Sequence, residues 1–273
     1  MKNDSSAFSG LALGEKLEMD AGVLCLTLDA LGNRALKSNN IVDFQRINRI
    51  LAGCIPKIVE RGGIVINYGL SSALTLFPQN PGEALACVLS IFSLIEQMPE
   101  EKKAYFDKIS LALCFGSVTV GMVGYGDYST PLASSETVLL CGLLQKRAAA
   151  YYSRILATDA FLDQIPMAKE KFNYRILGVV YLSGTKKKEM VFDVFEGDEP
   201  EVRNIKRRTK NTFEKGVELY LVRHFSEARN YFLEVIRTDR RDLAAKEYLL
   251  RCDDYIHGVK DSGTADAAYF EVL

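Results

Sequence analysis

Histidine is almost missing from this sequence: His224 and His257, both near the C-terminus, are the two present. A Ser–His–Asp or Cys–His site within the first 220 residues is therefore excluded, as is a His-rich zinc site. Any chemistry in residues 1–200 falls to carboxylates, lysines, hydroxyls or a bound metal. The six cysteines, Cys25, Cys54, Cys87, Cys114, Cys141 and Cys252, include no C-x-x-C pair, and most sit among apolar neighbours. They read as buried, reduced thiols, which suits a reducing compartment better than a disulfide framework. An excess of one charge is absent too, since 34 basic and 35 acidic residues leave a net charge of −1. This argues against a dedicated binder of nucleic acid or an anionic membrane. Residues 1–20 lack the basic and apolar regions of a signal peptide, and the longest apolar run, Ala84 to Ile95, is too short to span a bilayer. A cytoplasmic location is expected.

What is present is a core. Hydrophobic residues make up 48% of 273 residues, enough for one full-sized domain and a smaller appendage. Residues 1–20 read as a flexible lead-in. Val23 to Leu28 reads as a buried strand ending at Asp29. Ile41, Phe44, Ile47, Leu51, Cys54 and Ile58 recur at helical spacing, and Gly62-Gly63 stops that helix. Ile64 to Tyr68 and Ala73 to Phe77 predict a strand pair, and Glu83 to Gln97 a second helix. Ile109 to Phe115 and Ser117 to Val123 predict two more strands, and Thr137 to Tyr152 a helix. Ile155 to Thr158 reads as a short strand, and Tyr174 to Leu182 with Glu189 to Phe195 as a hairpin. The order predicts an α+β fold with a ferredoxin-like βαββαβ core over residues 21–197. Gly197 to Pro200 marks a break, with a linker expected at 198–204. A small all-α C-terminal unit is expected at 205–258, and a tail at 259–273.

Three segments carry a recognisable order: Leu26-Thr27-Leu28-Asp29-Ala30-Leu31-Gly32; Gly62-Gly63 with Phe77 fourteen residues after Gly63; and Gly116 to Gly124 followed by Asp127-Tyr128-Ser129. Together with Leu177-Gly178 to Gly184, they resemble the class III nucleotidyl cyclase catalytic domain, the adenylate/guanylate cyclase family. The resemblance covers about residues 20–197 and implies a cyclase-type sandwich. Beyond it, Phe213 to Tyr220, Phe225 to Ala228 and Ala244 to Cys252 resemble a tetratricopeptide-like helical hairpin.

The resemblance implies a reaction in which the ribose 3′-oxygen attacks the α-phosphate and pyrophosphate leaves, with two divalent metals neutralising charge. Asp29 matches the first of two metal-holding aspartates; the second falls at Ser71, which offers no carboxylate. Asp29 also reads as a strand-end cap for the Gly32 turn. The base-recognition position falls at Asn67 and its companion at Ser129. On the helix, the ribose-orienting Asn falls at Leu139 and the phosphate-stabilising Arg at Leu143. Lys146 and Arg147 lie about one turn further on and substitute only if the helix shifts register. Lys186, in the run Lys186-Lys187-Lys188, sits where the family often offers a phosphate-binding lysine; a solvated turn is the alternative. Arg203, Lys206, Arg207, Arg208 and Lys210 read as a solvated helix face or a surface for an acidic partner.

These losses together imply a catalytically inactive relative with a regulatory, ligand-sensing or scaffolding role. No cofactor is expected, with Mg or Mn if any cyclase activity remains. The partners expected are a second copy through the cyclase-type interface, a protein at the C-terminal helices, and a nucleotide or small ligand. An active, divergent adenylate/guanylate cyclase is the alternative.

Overall fold

A computed structural model describes residues 8, 10–27, 44–68, 72–103, 106, 109–126, 128–182, 185, 188–260 and 271–272. The chain divides into two compact units, residues 1–146 with 160–166, and residues 147–159 with 167–273.

The first unit runs β1 (Lys16–Thr27), α1 (Phe44–Glu60), β2 (Ile64–Tyr68), β3 (Ser72–Phe77), α2 (Glu83–Glu96), β4 (Leu111–Tyr125), β5 (Tyr128–Ser134) and α3 (Glu136–Ala148). The antiparallel order β2-β3-β1-β4, with β5 paired to β4, is that of a ferredoxin-like sheet. β1 is central, flanked by β3 and β4, and its residues 21–27 are all buried. That explains its unbroken apolar run. α1 buries Ile47, Ile50, Leu51, Cys54 and Ile58, one stripe at helical period.

The Gly62-Gly63…Phe77 spacing has a physical cause. Gly62 takes φ +78°, and its N–H donates to the Val59 carbonyl; the Gly63 N–H donates to the Ile58 carbonyl at 2.9 Å. This is a Schellman stop. The β2–β3 register pairs Ile64 with Leu76, bringing the Phe77 ring back beside Gly63. A Cβ on Gly63 would lie 2.6 Å from that ring.

Three sequence expectations are corrected here. β1 begins at Lys16, so residues 16–20 of the expected flexible lead-in are strand, paired to Gly121 through Ser117. The two strands expected over 109–123 are one continuous β4. β5 was not foreseen, since its first residues are polar and Pro131 interrupts them. Pro131 is tolerated there because, among the described residues, β5 pairs with β4 alone. The β4–β5 hairpin needs Gly124, which has φ +139° and would set a Cβ 2.1 Å from the Tyr128 carbonyl oxygen. Gly124→Ala is expected to cost about 1–3 kcal/mol, read as a lower urea midpoint at unchanged slope.

The second unit contains β6 (Ile155–Thr158), β7 (Tyr174–Tyr181), β8 (Lys188–Val194), α4 (Pro200–Leu221), α5 (Phe225–Thr238), α6 (Leu243–Ile256) and β9 (Glu271–Val272). Its strand order is β6-β8-β7-β9, antiparallel except for β7–β9. The all-α stretch is three helices stitched by aromatic contacts. Tyr248 stacks on Phe232 at 4.6 Å and meets Tyr220 and Phe213 edge-on. Within 198–204, expected as a linker, Asp198 is buried and α4 starts at Pro200.

This unit also buries five charges together. The Arg175 guanidinium donates to Asp193 at 3.0 Å and to both oxygens of Asp242, at 2.5 and 3.3 Å. It lies 4.2 Å from the Phe213 ring centre. Lys206 Nζ stands 2.9 Å from Asp193 and 2.6 Å from Asp198, and donates to the Tyr152 carbonyl at 2.9 Å. The Asp198 contact is a charge contact off the axis of an aligned hydrogen bond. Ser153 donates to the other Asp193 oxygen at 2.7 Å, and the Ala245 N–H to Asp242 at 3.0 Å. The cluster ties β7 and β8 to α4 and the start of α6.

Candidate functional site

Of the positions singled out by the family resemblance, Asn67, Ser129, Leu139 and Leu143 lie on β2, β5 and α3, in the first unit. Asn67 is exposed on β2, opposite Leu74, just past an irregularity in the strand register. Ser129 is exposed on β5, opposite Gly124. β2 and β5 approach each other, so the fold draws together the two strands that carry these positions. Both side chains are neutral, and residues 62–82 contain no Asp, Glu, Lys, Arg or His.

Asp29, Ser71 and Lys186 lie outside the described residues. The last described pair between β1 and β3 is Thr27 with Ser72. Beyond it the sequence supplies one carboxylate, Asp29, and one hydroxyl, Ser71. Among the described residues, no group of three His, Cys, Asp or Glu side chains is placed to hold a metal ion.

The register of α3 is pinned at several points. The Ser135 hydroxyl accepts from the Val138 N–H at 3.1 Å, an N-cap. Thr137 is buried against Gly116, where a Cβ would lie 2.6 Å from its hydroxyl oxygen. The Cys141 sulfur sits 3.3 Å from the Val23 carbonyl and 3.2 Å from the Ala112 carbonyl, between the backbones of β1 and β4. Burial pushes the Cys141 thiol well above its ordinary pKa, with Cys114 and Cys25 beside it adding to the shift. It is thus a protonated packing group, and no nucleophile. Leu140 and Leu144 are buried on the same side.

With that register set, the other face of α3 carries Leu139, 53% exposed, and half-buried Leu143, followed by exposed Lys146 and Arg147. Sliding the helix to bring Lys146 or Arg147 to the Leu143 position would pull Cys141 and Thr137 out of their seats. The sequence showed the substitutions at 139 and 143. It did not show the anchors, because Thr137–Gly116 and Cys141–Val23 are contacts between distant residues.

In the basic stretch after residue 200, Lys206 is buried, Arg203 and Lys210 are half-buried, and Arg207 and Arg208 are exposed. Lys206 is in the buried cluster, and Arg203 donates to the Glu196 carbonyl at 2.9 Å. Arg207 donates to Asn173 at 3.2 Å, and Lys210 sits 4.0 Å from the Tyr174 ring centre. The expected alternatives, a solvated face or a surface for an acidic partner, overlooked the inward role of Lys206, while Arg207 and Arg208 are solvent-exposed as the first of them has it.

Comparison with known proteins places the fold. The chain is 24% identical over 227 residues to the Dictyostelium discoideum protein described as adenylate cyclase, terminal-differentiation specific; the match covers 78% of this chain. The chain spans 10% of that relative's length. A bacterial light-regulated adenylyl cyclase superposes with TM-score 0.56 at 16% identity, over 71% of this chain and 57% of that one. The guanylyl cyclase Cya2 superposes with TM-score 0.53 at 16% identity, over 69% and 97%. No protein-family model matches the chain. Among the described residues, no helix is long and apolar enough to cross a membrane.

Proposed function

We propose that this chain, which has the class III nucleotidyl cyclase fold, is a cyclase-type domain without turnover that works as a dimerising regulatory, ligand-sensing or scaffolding protein in signalling. The observation that carries this reading is the pinned register of α3. Leu139 and Leu143 lie on the face of α3 away from those anchors, and the family resemblance assigns to them the ribose-orienting Asn and the phosphate-stabilising Arg. An alkyl side chain offers no donor to an oxyanion. Losing such a charge contact costs orders of magnitude in rate.

The other positions point the same way. Asn67 can hydrogen-bond a base without charge, and Ser129 can do so weakly. At the two metal positions that the resemblance assigns, the sequence supplies one carboxylate, Asp29, and the hydroxyl of Ser71. In a dimer of the cyclase type each groove is built from both copies, so a second copy supplies the same deficits. Exposed Val123, Tyr125, Tyr128 and Leu132 on the β4–β5 hairpin support a contact between copies. A site that lacks these groups suits retention of a ligand better than its conversion.

The test is a product assay on the purified full chain with ATP or GTP and Mg²⁺ or Mn²⁺, run beside calorimetric titration of the same nucleotides. No cyclic nucleotide above a protein-free control is expected. Saturable binding without product assigns the sensing role, and absence of binding assigns the scaffold. Metal-dependent cyclic AMP or cyclic GMP that disappears in Asp29→Ala would overturn the proposal and establish the divergent cyclase.

A further inference from the structure

We propose that the outer edge of β7 at Val180 and Tyr181 is a strand-addition site occupied by the chain's own C-terminal segment, which serves as a latch able to open. β7 pairs with β8 along one side. Two side chains close the middle of its other side. The Ile176 N–H donates to the Glu214 carboxylate at 2.9 Å, and the Leu177 carbonyl accepts from the Tyr248 hydroxyl. Glu214 is on α4 and Tyr248 on α6, so this part of the edge is plugged by helices held in the buried ion cluster. Such plugging keeps an edge strand from pairing with other chains.

Val180 and Tyr181 lie beyond those plugs. There the cover is β9, with Val180 paired in parallel to Glu271 and Tyr181 to Val272. A two-residue ladder is slender, and β9 is joined to the end of α6 by a long stretch of chain, residues 257–270. A strand carried on the same chain competes for the edge at an effective concentration of about millimolar, and a second strand can displace so short a ladder.

The composition of the tail matches this role. Asp261 to Asp266 is polar, whereas Ala267-Ala268-Tyr269-Phe270-Glu271-Val272-Leu273 is apolar and strand-prone apart from Glu271. The edge thus takes an extended peptide of apolar and aromatic residues, bound through its main chain as in β-augmentation.

The test uses the full chain and a fluorescein-labelled peptide of residues 264–273. In the full-length variant Glu271→Pro/Val272→Pro the tail loses its strand donors, so the edge is open. The peptide is expected to bind this variant saturably, and to bind the unsubstituted chain at least about tenfold more weakly, because the tethered tail competes. Amides at 180–182 are expected to exchange hydrogen at least about tenfold faster in the variant. Equal binding to both forms, no binding to the variant, or unchanged exchange would overturn the proposal.

Discussion

Arg175→Ala is expected to lower the melting temperature by about 6–20 °C, corresponding to about 3–5 kcal/mol of lost stability. Arg175 is fully buried and bridges Asp193 on β8 to Asp242 at the start of α6. Its removal leaves three buried carboxylates facing one lysine. Water cannot reach them, and no other cation among the described residues is in the cluster. The loss is a large part of the roughly 5–15 kcal/mol that holds a typical protein folded. Circular dichroism melting checks it, and an unchanged midpoint would show that the cluster contributes nothing.

The same cluster predicts an asymmetry between two of its acids. Burial alone would raise the Asp242 carboxyl, but Arg175 beside it holds it below the usual carboxylate range. A folded-state pKa below the unfolded value stabilises above about pH 4, and that stability is lost as pH falls through the folded value. Asp198 behaves oppositely: burial raises its carboxyl, with Lys206 opposing. A raised carboxyl favours the folded state below its unfolded pKa, and the benefit is gone once pH rises through the folded value. At pH 7, Asp198→Asn is therefore expected to stay within about 1 kcal/mol of the parent or to stabilise it, by removing the excess negative charge. Asp242→Asn at the same pH is expected to destabilise strongly. Equal losses in the two variants would contradict this account.

Truncation after Asp198 is expected to abolish soluble folded protein altogether. The deletion removes Glu214 and Tyr248, which satisfy the β7 backbone at Ile176 and Leu177. It also removes Lys206 and Asp242, leaving Arg175 and Asp193 as a buried pair missing their outer partners. An uncovered edge strand and a broken ion cluster both favour aggregation. Size-exclusion chromatography of residues 1–198 beside the full chain decides the matter. A monodisperse, folded fragment would mean that the helices are an appendage, as the sequence boundary at residue 197 suggests. The compact units divide otherwise: β6, β7 and β8 belong with α4 to α6.

Much of the fold was legible because it follows from local pattern. The stripe of α1, the apolar run of β1 and the Gly63 to Phe77 spacing each reflect periodicity or a turn within a few residues. β5 was not legible, since Pro131 and its polar neighbours are acceptable only on a strand paired along one side. Residues 16–20 were not legible either, because their strand character comes from pairing with residues 117–121. Lys206 was read as solvent-facing for the same kind of reason. Nothing near it in sequence reveals Asp193, thirteen residues earlier, as its buried partner.

The site divides along the same line. By sequence alone, the histidine shortage, the serine at 71 and the leucines at 139 and 143 set which chemical groups those positions can offer. Those are properties of single residues, and folding adds none. Tertiary structure alone decided that α3 is held in one register, and that Lys206 of the basic stretch past residue 200 turns inward. Both depend on contacts between distant segments, Thr137 on Gly116, Cys141 between β1 and β4, and Lys206 between two aspartates. Packing fixes a helix's register and a charge's partner only when the surrounding elements are in place.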